Sequence, residues 1–447
     1  MIEVVRKVNL GRALDTLYSL FPQEFDFHPQ SWFLPQQFAE FCDAARRLQE
    51  DKDQKTVFIV KPDEGSQGDG IYIIQEPREY LFNNGKHIVQ TYIHNPMLLE
   101  GLKFDFRIYV VVASLEPLEV YVCHEGLARF CTVPYQFPTN KNLHEAYMHL
   151  TNYSLNKRSA GYLHTESDMD GSKRTVSSVL RSLRERGHDV ERIWCQIEMV
   201  VAKTMIAIAP ELKVEYRAQL SRGGPSCFQI LGFDILLTDT GQPMLLEVNA
   251  NPSLRIDFEQ EVAPGIHEYI HSPVDEEIKR PLVLDTLILA APRHKTLKKR
   301  MSKTSYGIWI PHSGSSLFPL HPLLITISLQ VYPRKYGTDF EWLTVLNRAA
   351  EIFLNCLGVR GSLRMGSTGF RTFTRKCNLV NPACGLTNAS FDIMFIDLQR
   401  RWDHSNDKGA SGLCFQGFLE AFFSLACKRF PSESSLDAIE KLLDFSE

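Results

Sequence analysis

Residues 228–249 hold two apolar runs, FQILGFDILL and PMLLEVN, joined by Asp239-Thr240-Gly241-Gln242, and each run carries one carboxylate among residues that would be buried. With Thr240 and Gly241 as the central turn residues, Asp239 faces Gln242 and Asp234 falls directly opposite Glu247. Directly paired side chains have Cβ atoms about 4.5 to 5.5 Å apart, so two carboxylates there repel each other. A divalent cation turns that cost into a site. Asn249 shares the face of Glu247 and adds a third hard oxygen, of the kind Mg²⁺ takes beside phosphate oxygens. The competing reading is a hairpin with one polar face in water, where Asp and Glu are ordinary. The flanks, apolar nearly throughout, argue against it.

The segment VFIVKPDEGSQGDGIYII (57–74) reads as a buried strand ending in Lys61, a loop with Gly65, Gly68 and Gly70, and a second strand. Backbone N–H groups of such a loop close over phosphates, and a strand-end Lys supplies a point charge. No GK[ST] follows, and strand-loop-strand is the wrong context for a dinucleotide fingerprint; a plain Gly-rich hairpin would look similar. Residues 104–123 form a second hairpin across a Glu-Pro turn, and 88–93 (IVQTYI) a further buried strand. Lys103, Asp105 and Arg107 alternate along the start of one strand and so share a face, either a polar cleft or an exposed edge.

At 447 residues, two or three domains are expected. Helical periodicity at 174–186 and 191–208 makes the first 290 residues mixed α and β. PRHKTLKKRMSK (292–303) then carries Arg293, Lys295, Lys298, Lys299, Arg300 and Lys303 with no acidic residue. Beyond it, 341–357, 389–402 and 413–429 read as helices. The expected fold class is α+β, divided into a catalytic region 1–290, a basic linker 291–340 and a helical domain 341–447. A net charge of −4 argues against a general nucleic-acid binder. No run reaches the length of uncharged apolar residues a membrane span needs, and the opening lacks a secretory apolar region, so a soluble intracellular protein is expected. Ten cysteines with no CxxC read as reduced thiols.

Taken together, WFLP (32–35), FIVKPDEGSQGDGI (58–71), QTYI (90–93), KFDFRIYV (103–110), HLTNYSLNK (149–157), GSKR (171–174), and LGFDILL with LLEVNANPS (231–253) resemble the tubulin tyrosine ligase-like family, whose catalytic part is an ATP-grasp fold. The basic segment after it resembles the autonomous polyglutamylases. The resemblance implies an ATP-dependent, amide-forming ligase that adds free L-glutamate to glutamate side chains on tubulin tails, with ATP and Mg²⁺. By the same resemblance, Lys61, Gln67, Gly68 and Gly70 hold phosphates, and Gln90, Thr91, Tyr92 and Ile93 face adenine. Lys103, Asp105 and Asn152 complete the nucleotide site; Asp234, Glu247 and Asn249 hold magnesium. Arg129, Tyr153, Ser154, Lys173 and Lys279 receive glutamate, with Lys61, Arg129 and Lys173 catalytic.

Gln67 stands where chain-initiating relatives carry Arg, which leans towards chain elongation. The basic residues 293–303 would contact microtubules, or else form a solvated linker. A monomer in the cytoplasm and cytoskeleton is implied, cilium and basal body included. The family's first strands normally precede the point where this chain starts, so the pattern joins late, as a short isoform or fragment would. Gln229 replaces the Glu many relatives carry. A glycylase, a tyrosine ligase and a catalytically inactive microtubule adaptor remain the rival readings; the intact carboxylate pair counts against the last.

The tail stretches 363–380, 386–399 and 412–430 resemble the EF-hand-like fold of the p25-alpha proteins. If Leu413 takes the apolar eighth loop position, the first ligand is Asn406 and the twelfth is Gly417 instead of Glu. No calcium binding is expected there, and a packing or partner role is.

Overall fold

The computed structural model describes residues 1–50, 56–65, 68–82, 85–163, 171–220, 227–263, 265–290, 328–340, 343–357, 363–402 and 411–446. Gln67, the basic residues 293–303 and Asn406 lie outside the described residues.

A first layer comprises α1 (Lys7–Leu20), β1 (Ser31–Leu34), α2 (Phe38–Glu50), β2 (Phe58–Pro62), β3 (Tyr72–Ile74) and β4 (His87–Thr91). Its strands form an antiparallel sheet in the order β1-β4-β2-β3. The aromatic residues decide how it closes: Trp32 and Phe41 meet Phe58 edge-on, at centroid distances of 5.8 and 5.0 Å, so α2 is held against one sheet face.

The larger sheet draws on β5 (Leu98–Leu99), β6 (Leu102–Leu115), β7 (Leu118–Phe130), β8 (Lys173–Thr175), β9 (Gln229–Leu237) and β10 (Pro243–Asn249). Between β7 and β8 lie the short helices α3 (Ala146–His149) and α4 (Tyr153–Asn156), and between β8 and β9 lie α5 (Val176–Glu185) and α6 (Val190–Gln219). After β10 come the hairpin β11 (Asp257–Ala263) and β12 (Ile266–His271), then α7 (Pro273–Ala290) and β13 (Ser328–Tyr332). The order is β10-β9-β6-β7-β13, with β5 on β6 and β8 on β7.

Strand alternation along β6 explains the layering. Phe104, Phe106, Ile108, Val110 and Val112 join the core under α6. On the opposite face Tyr109 and Val111 pack against Val274, Ile278 and Leu282 of α7. The start of that second face is charged instead, holding Lys103, Asp105 and Arg107, and this is where the site forms. Helix α6 is long and apolar enough over Val190–Arg217 to cross a membrane by length and composition, although Glu198 and Lys203 interrupt it, so no uncharged apolar run of spanning length occurs, as expected. That stretch is mostly buried inside the protein, spent on the sheet and on the tail.

The segment expected as linker is not one throughout. Residues 328–332 pair with β7, with Ser328 opposite Cys123, and Tyr336 and Phe340 enter the main core. A short edge strand draws its stability from the ladder it joins, and a five-residue run gives little sign of that in sequence. The tail helices are α8 (Thr344–Cys356), α9 (Ser367–Lys376), α10 (Asn388–Arg401), α11 (Phe415–Arg429) and α12 (Ser435–Ser446). Phe353, Phe373, Phe418 and Phe422 interlock at their centre. Leu413 bridges Met365 in an isolated antiparallel pair, the position its eighth place in a loop would give it. Lys213 and Arg217 of α6 reach Asn347 at 2.8 Å and Glu351 at 2.5 Å on α8, joining the tail to the first 290 residues. All ten cysteines are free thiols.

Candidate active site

The carboxylate pair forms as expected, by a different route. The loop between β9 and β10 is one residue longer than the two-residue turn: Thr238 N–H bonds Gln242 O at 2.9 Å, and Gly241 takes the left-handed φ of +82° that closes such loops. Leu237 therefore faces Pro243, one position out of the expected register. A bulge between Leu245 and Glu247 absorbs the difference, and Asp234 pairs with Glu247 after all. The bulge turns the Leu246 carbonyl to Lys61 Nζ at 3.4 Å, tying the small sheet to the large one. The Asn249 amide reaches Asp234 Oδ2 at 3.4 Å and Glu247 Oε1 at 3.3 Å, so the three expected cation ligands converge.

The two carboxylates differ in their surroundings. Burial raises the Asp234 carboxyl, but Arg107 and Arg129 outweigh it and hold the group well below the usual carboxylate range. Arg107 forks onto Asp234 at 2.5 and 3.0 Å, and Arg129 adds a contact of 2.9 Å. Glu247 has Lys7 at 4.0 Å, and burial followed by Asp234 pushes its carboxyl upward. A further cation between the pair would relieve that repulsion. The oxygen-only donor set suits Mg²⁺, so the residues fit the ion.

Around this pair lies a half-open cleft. Its lining contains Lys61, Gln90, Thr91, Tyr92, Ile93, Lys103, Asp105, Arg129, Asn152, Asp234 and Glu247, eleven of the expected residues in one place. Gly68 and Gly70 belong to the loop beside it, both at positive φ (+84° and +68°). A Cβ on Gly68 would meet Asn152 Oδ1 at 3.1 Å, so the loop approaches Asn152 closely only as glycine. Lys103 donates to Tyr92 Oη at 3.0 Å and to the His149 carbonyl at 2.9 Å. Burial first, with partial relief from nearby carboxylates, brings the Lys61 and Lys103 ammonium groups down to about 8.

The residues expected for glutamate stand on the next strands. Arg129 pairs with Asp105 on one side and Lys173 on the other, so the three side chains share one row of the sheet. Arg129 forks onto Asp105 at 2.8 and 2.5 Å, and Thr151 Oγ1 donates to the same carboxylate at 2.7 Å. Lys173 lies 4.3 Å over the Tyr153 ring and 2.6 Å from Asp275, which also takes Lys279 at 2.7 Å. Ser154 follows on α4. Tyr153, Lys173 and Lys279 thus converge on Asp275, beside the lining of the main cleft rather than in it.

Arg107, Asp275, Thr151 and Lys7 carry parts of this site that sequence reasoning did not assign. Asp275 and Lys279 are four apart on a helix, a legible ion-pair spacing. Arg107 alternates with Lys103 and Asp105, but its partner is 127 residues away and nothing local announces it. Gln229 donates to the Ala250 carbonyl at 2.6 Å, bridging the ends of the β9–β10 hairpin.

Residues 1–274 match the profile of the tubulin-tyrosine ligase family, and residues 329–447 match a profile described as Tubulin polyglutamylase TTLL11, EF-hand. Among curated relatives, the chain is 44% identical to Tubulin polyglutamylase TTLL11 of Homo sapiens, over 100% of this chain and 65% of that protein. It is 43% identical to the Mus musculus protein of that name, covering 68% of it, and 35% identical to Tubulin polyglutamylase ttll-11 of Caenorhabditis elegans, covering 64%. The chain therefore spans about two thirds of the length of these relatives.

Proposed function

Because the chain belongs to the tubulin-tyrosine ligase family, we propose that it is an ATP-dependent ligase, with an ATP-grasp type of nucleotide site, that extends glutamate chains on the C-terminal tails of tubulin. The observation that carries this reading is one cleft holding Lys61, the Asp234/Glu247 pair and Arg129, with Lys173 in the adjoining row.

A carboxylate is a poor acyl donor, because it resists nucleophilic attack and has no good leaving group. The acceptor glutamate side chain attacks the γ-phosphorus of ATP, releasing ADP and leaving an acyl phosphate. The amine of free glutamate then adds to that carbonyl, and the tetrahedral intermediate expels phosphate to leave an amide. Held by Asp234, Glu247 and Asn249, Mg²⁺ would supply neutralisation of charge on the phosphates. Lys61 adds a fixed positive charge from the strand end, and the glycine loop offers N–H groups to the phosphate oxygens. Arg129 keeps Asp234 ionised and oriented, and presents the row in which Lys173 can meet a carboxylate of the incoming amino acid. Gln67 supports elongation over initiation by residue type alone. Basic residues 293–303 would draw the enzyme to an acidic lattice, more strongly at low salt.

The deciding assay supplies purified protein with ATP, magnesium, microtubules and each of glutamate, glycine and tyrosine, followed by mass spectrometry of the tails. Glutamate alone should add. Glycine or tyrosine addition would transfer the chain to a sibling activity, and no addition of any would leave an adaptor. In the same assay Lys173→Ala should raise KM for glutamate at least about tenfold, the worth of a charge-assisted contact, with KM for ATP unchanged.

The pH response follows from the two buried lysines. Above about pH 8 the free protein's Lys61 and Lys103 lose protons. Phosphates restore the charge, so ATP binding takes up protons at pH 8.5 and weakens from pH 7 to 9. Calorimetry in two buffers of different ionisation heat should read this uptake; none would mean that these lysines do not meet the phosphates.

A further inference from the structure

We infer that the helical tail domain is a working part of the nucleotide site: it holds the glycine loop in place through α1, with Arg12 as the positioning residue that joins them. This rests on the cleft being the ATP site.

The first turn of α1 grips three consecutive loop residues. Arg6 donates to Glu64 at 3.0 Å, Lys7 to the Gly65 carbonyl at 3.1 Å, and the Val8 N–H to Asp63 Oδ1 at 3.0 Å. Arg6, at the N-cap position, makes no side-chain cap of its own, so Asp63 from the loop takes that role. Whatever fixes α1 therefore fixes the start of the loop that follows Lys61.

What fixes α1 is in part the tail. Arg12 is buried at 6% exposure, its guanidinium 5.1 Å from the Phe33 ring and 5.6 Å from the Trp402 ring. It donates to the carbonyl of Arg401, the last residue of α10, where a helix end leaves carbonyls without intrahelical partners. Glu420 on α11 holds that receptor in shape, accepting from Trp402 Nε1 at 2.7 Å and from the Arg401 side chain. Phe33 belongs to β1 of the small sheet that carries Lys61. One side chain thus touches the tail and the small sheet at once, from within α1.

The joint is tight. A Cβ on Gly11 would come within 2.8 Å of Ile88 Cδ1 and 3.1 Å of Phe33, so α1 lies against β4 and β1 with no slack for sliding. A tail that merely covered α6 would need none of these contacts.

The test uses the whole chain, with Mg-ATP as the probe in calorimetry and backbone hydrogen exchange over residues 57–74. Arg12→Met and, on the tail side, Glu420→Gln should each weaken ATP binding about tenfold and speed exchange in the loop. KM for glutamate and the far-ultraviolet dichroism should stay as in the wild type, and Arg12→Lys should recover part of the affinity. Unchanged ATP affinity and loop exchange in the folded variants would overturn the inference. Should Arg12→Met fail to fold, Glu420→Gln decides by the same readings. A wild-type chain that bound no ATP would instead refute the nucleotide reading itself.

Discussion

Glu247→Gln should abolish incorporation of labelled glutamate into microtubules, at least about a hundredfold, while leaving the fold intact. The amide keeps the volume of the side chain and removes one of the two charges on which the proposed Asp234/Glu247 cation site depends. Its effect on stability has the opposite sign. The Glu247 carboxyl is pushed upward by burial and by Asp234. A group whose folded value is raised contributes stability at low pH that is lost as pH rises through that value. The glutamine variant escapes that loss, so without metal it should resist urea at pH 8 at least as well as the wild type. A variant as active as wild type would remove the metal role from Glu247; one that unfolds would show that the carboxylate also has a structural task.

Arg107→Met should cost about 3 to 5 kcal/mol of folding free energy, measured by urea unfolding. Asp234 is almost wholly buried and Arg107 supplies two of its charged hydrogen bonds. Removing the arginine leaves a buried carboxylate with Arg129 as its remaining guanidinium partner, and both fold and catalysis suffer. The double variant Arg107→Met with Asp234→Asn removes the uncompensated charge, so it should recover much of the stability and none of the activity. Equal stability of Arg107→Met and wild type would mean that the fork contributes little, and that Arg129 alone holds the carboxylate.

The carboxylate hairpin was legible because a carboxylate inside an apolar strand is expensive, and two of them at a shared register need a reason. The pairing was right although the turn was not, because the bulge at Leu246 cancels the extra loop residue. The period of α5 was legible over 174–186, but the helix begins at Val176, after strand β8, where Thr175 caps it by accepting from Ser178 N–H at 3.2 Å. Contacts across long separations left no such trace. Arg107 meets Asp234 because β6 lies between β7 and β9, an order set by the whole sheet. Asp275 reaches Lys173 because α7 crosses the sheet face above β8. The tail helices showed their period, but their contact with α1 runs through Arg12, a cation in an amphipathic helix that would ordinarily be assigned to solvent.

Asp275 ties two of the residues proposed to receive glutamate to one carboxylate. It is shared between Lys173 and Lys279. Trading Lys173 for an uncharged side chain removes one of the two cations on that buried carboxylate and leaves it Lys279 and the Ser272 hydroxyl, which donates at 2.6 Å. A replacement at Lys173 therefore also acts on Asp275, and a paired change of lysine and aspartate should disturb the fold less than a change of the aspartate alone.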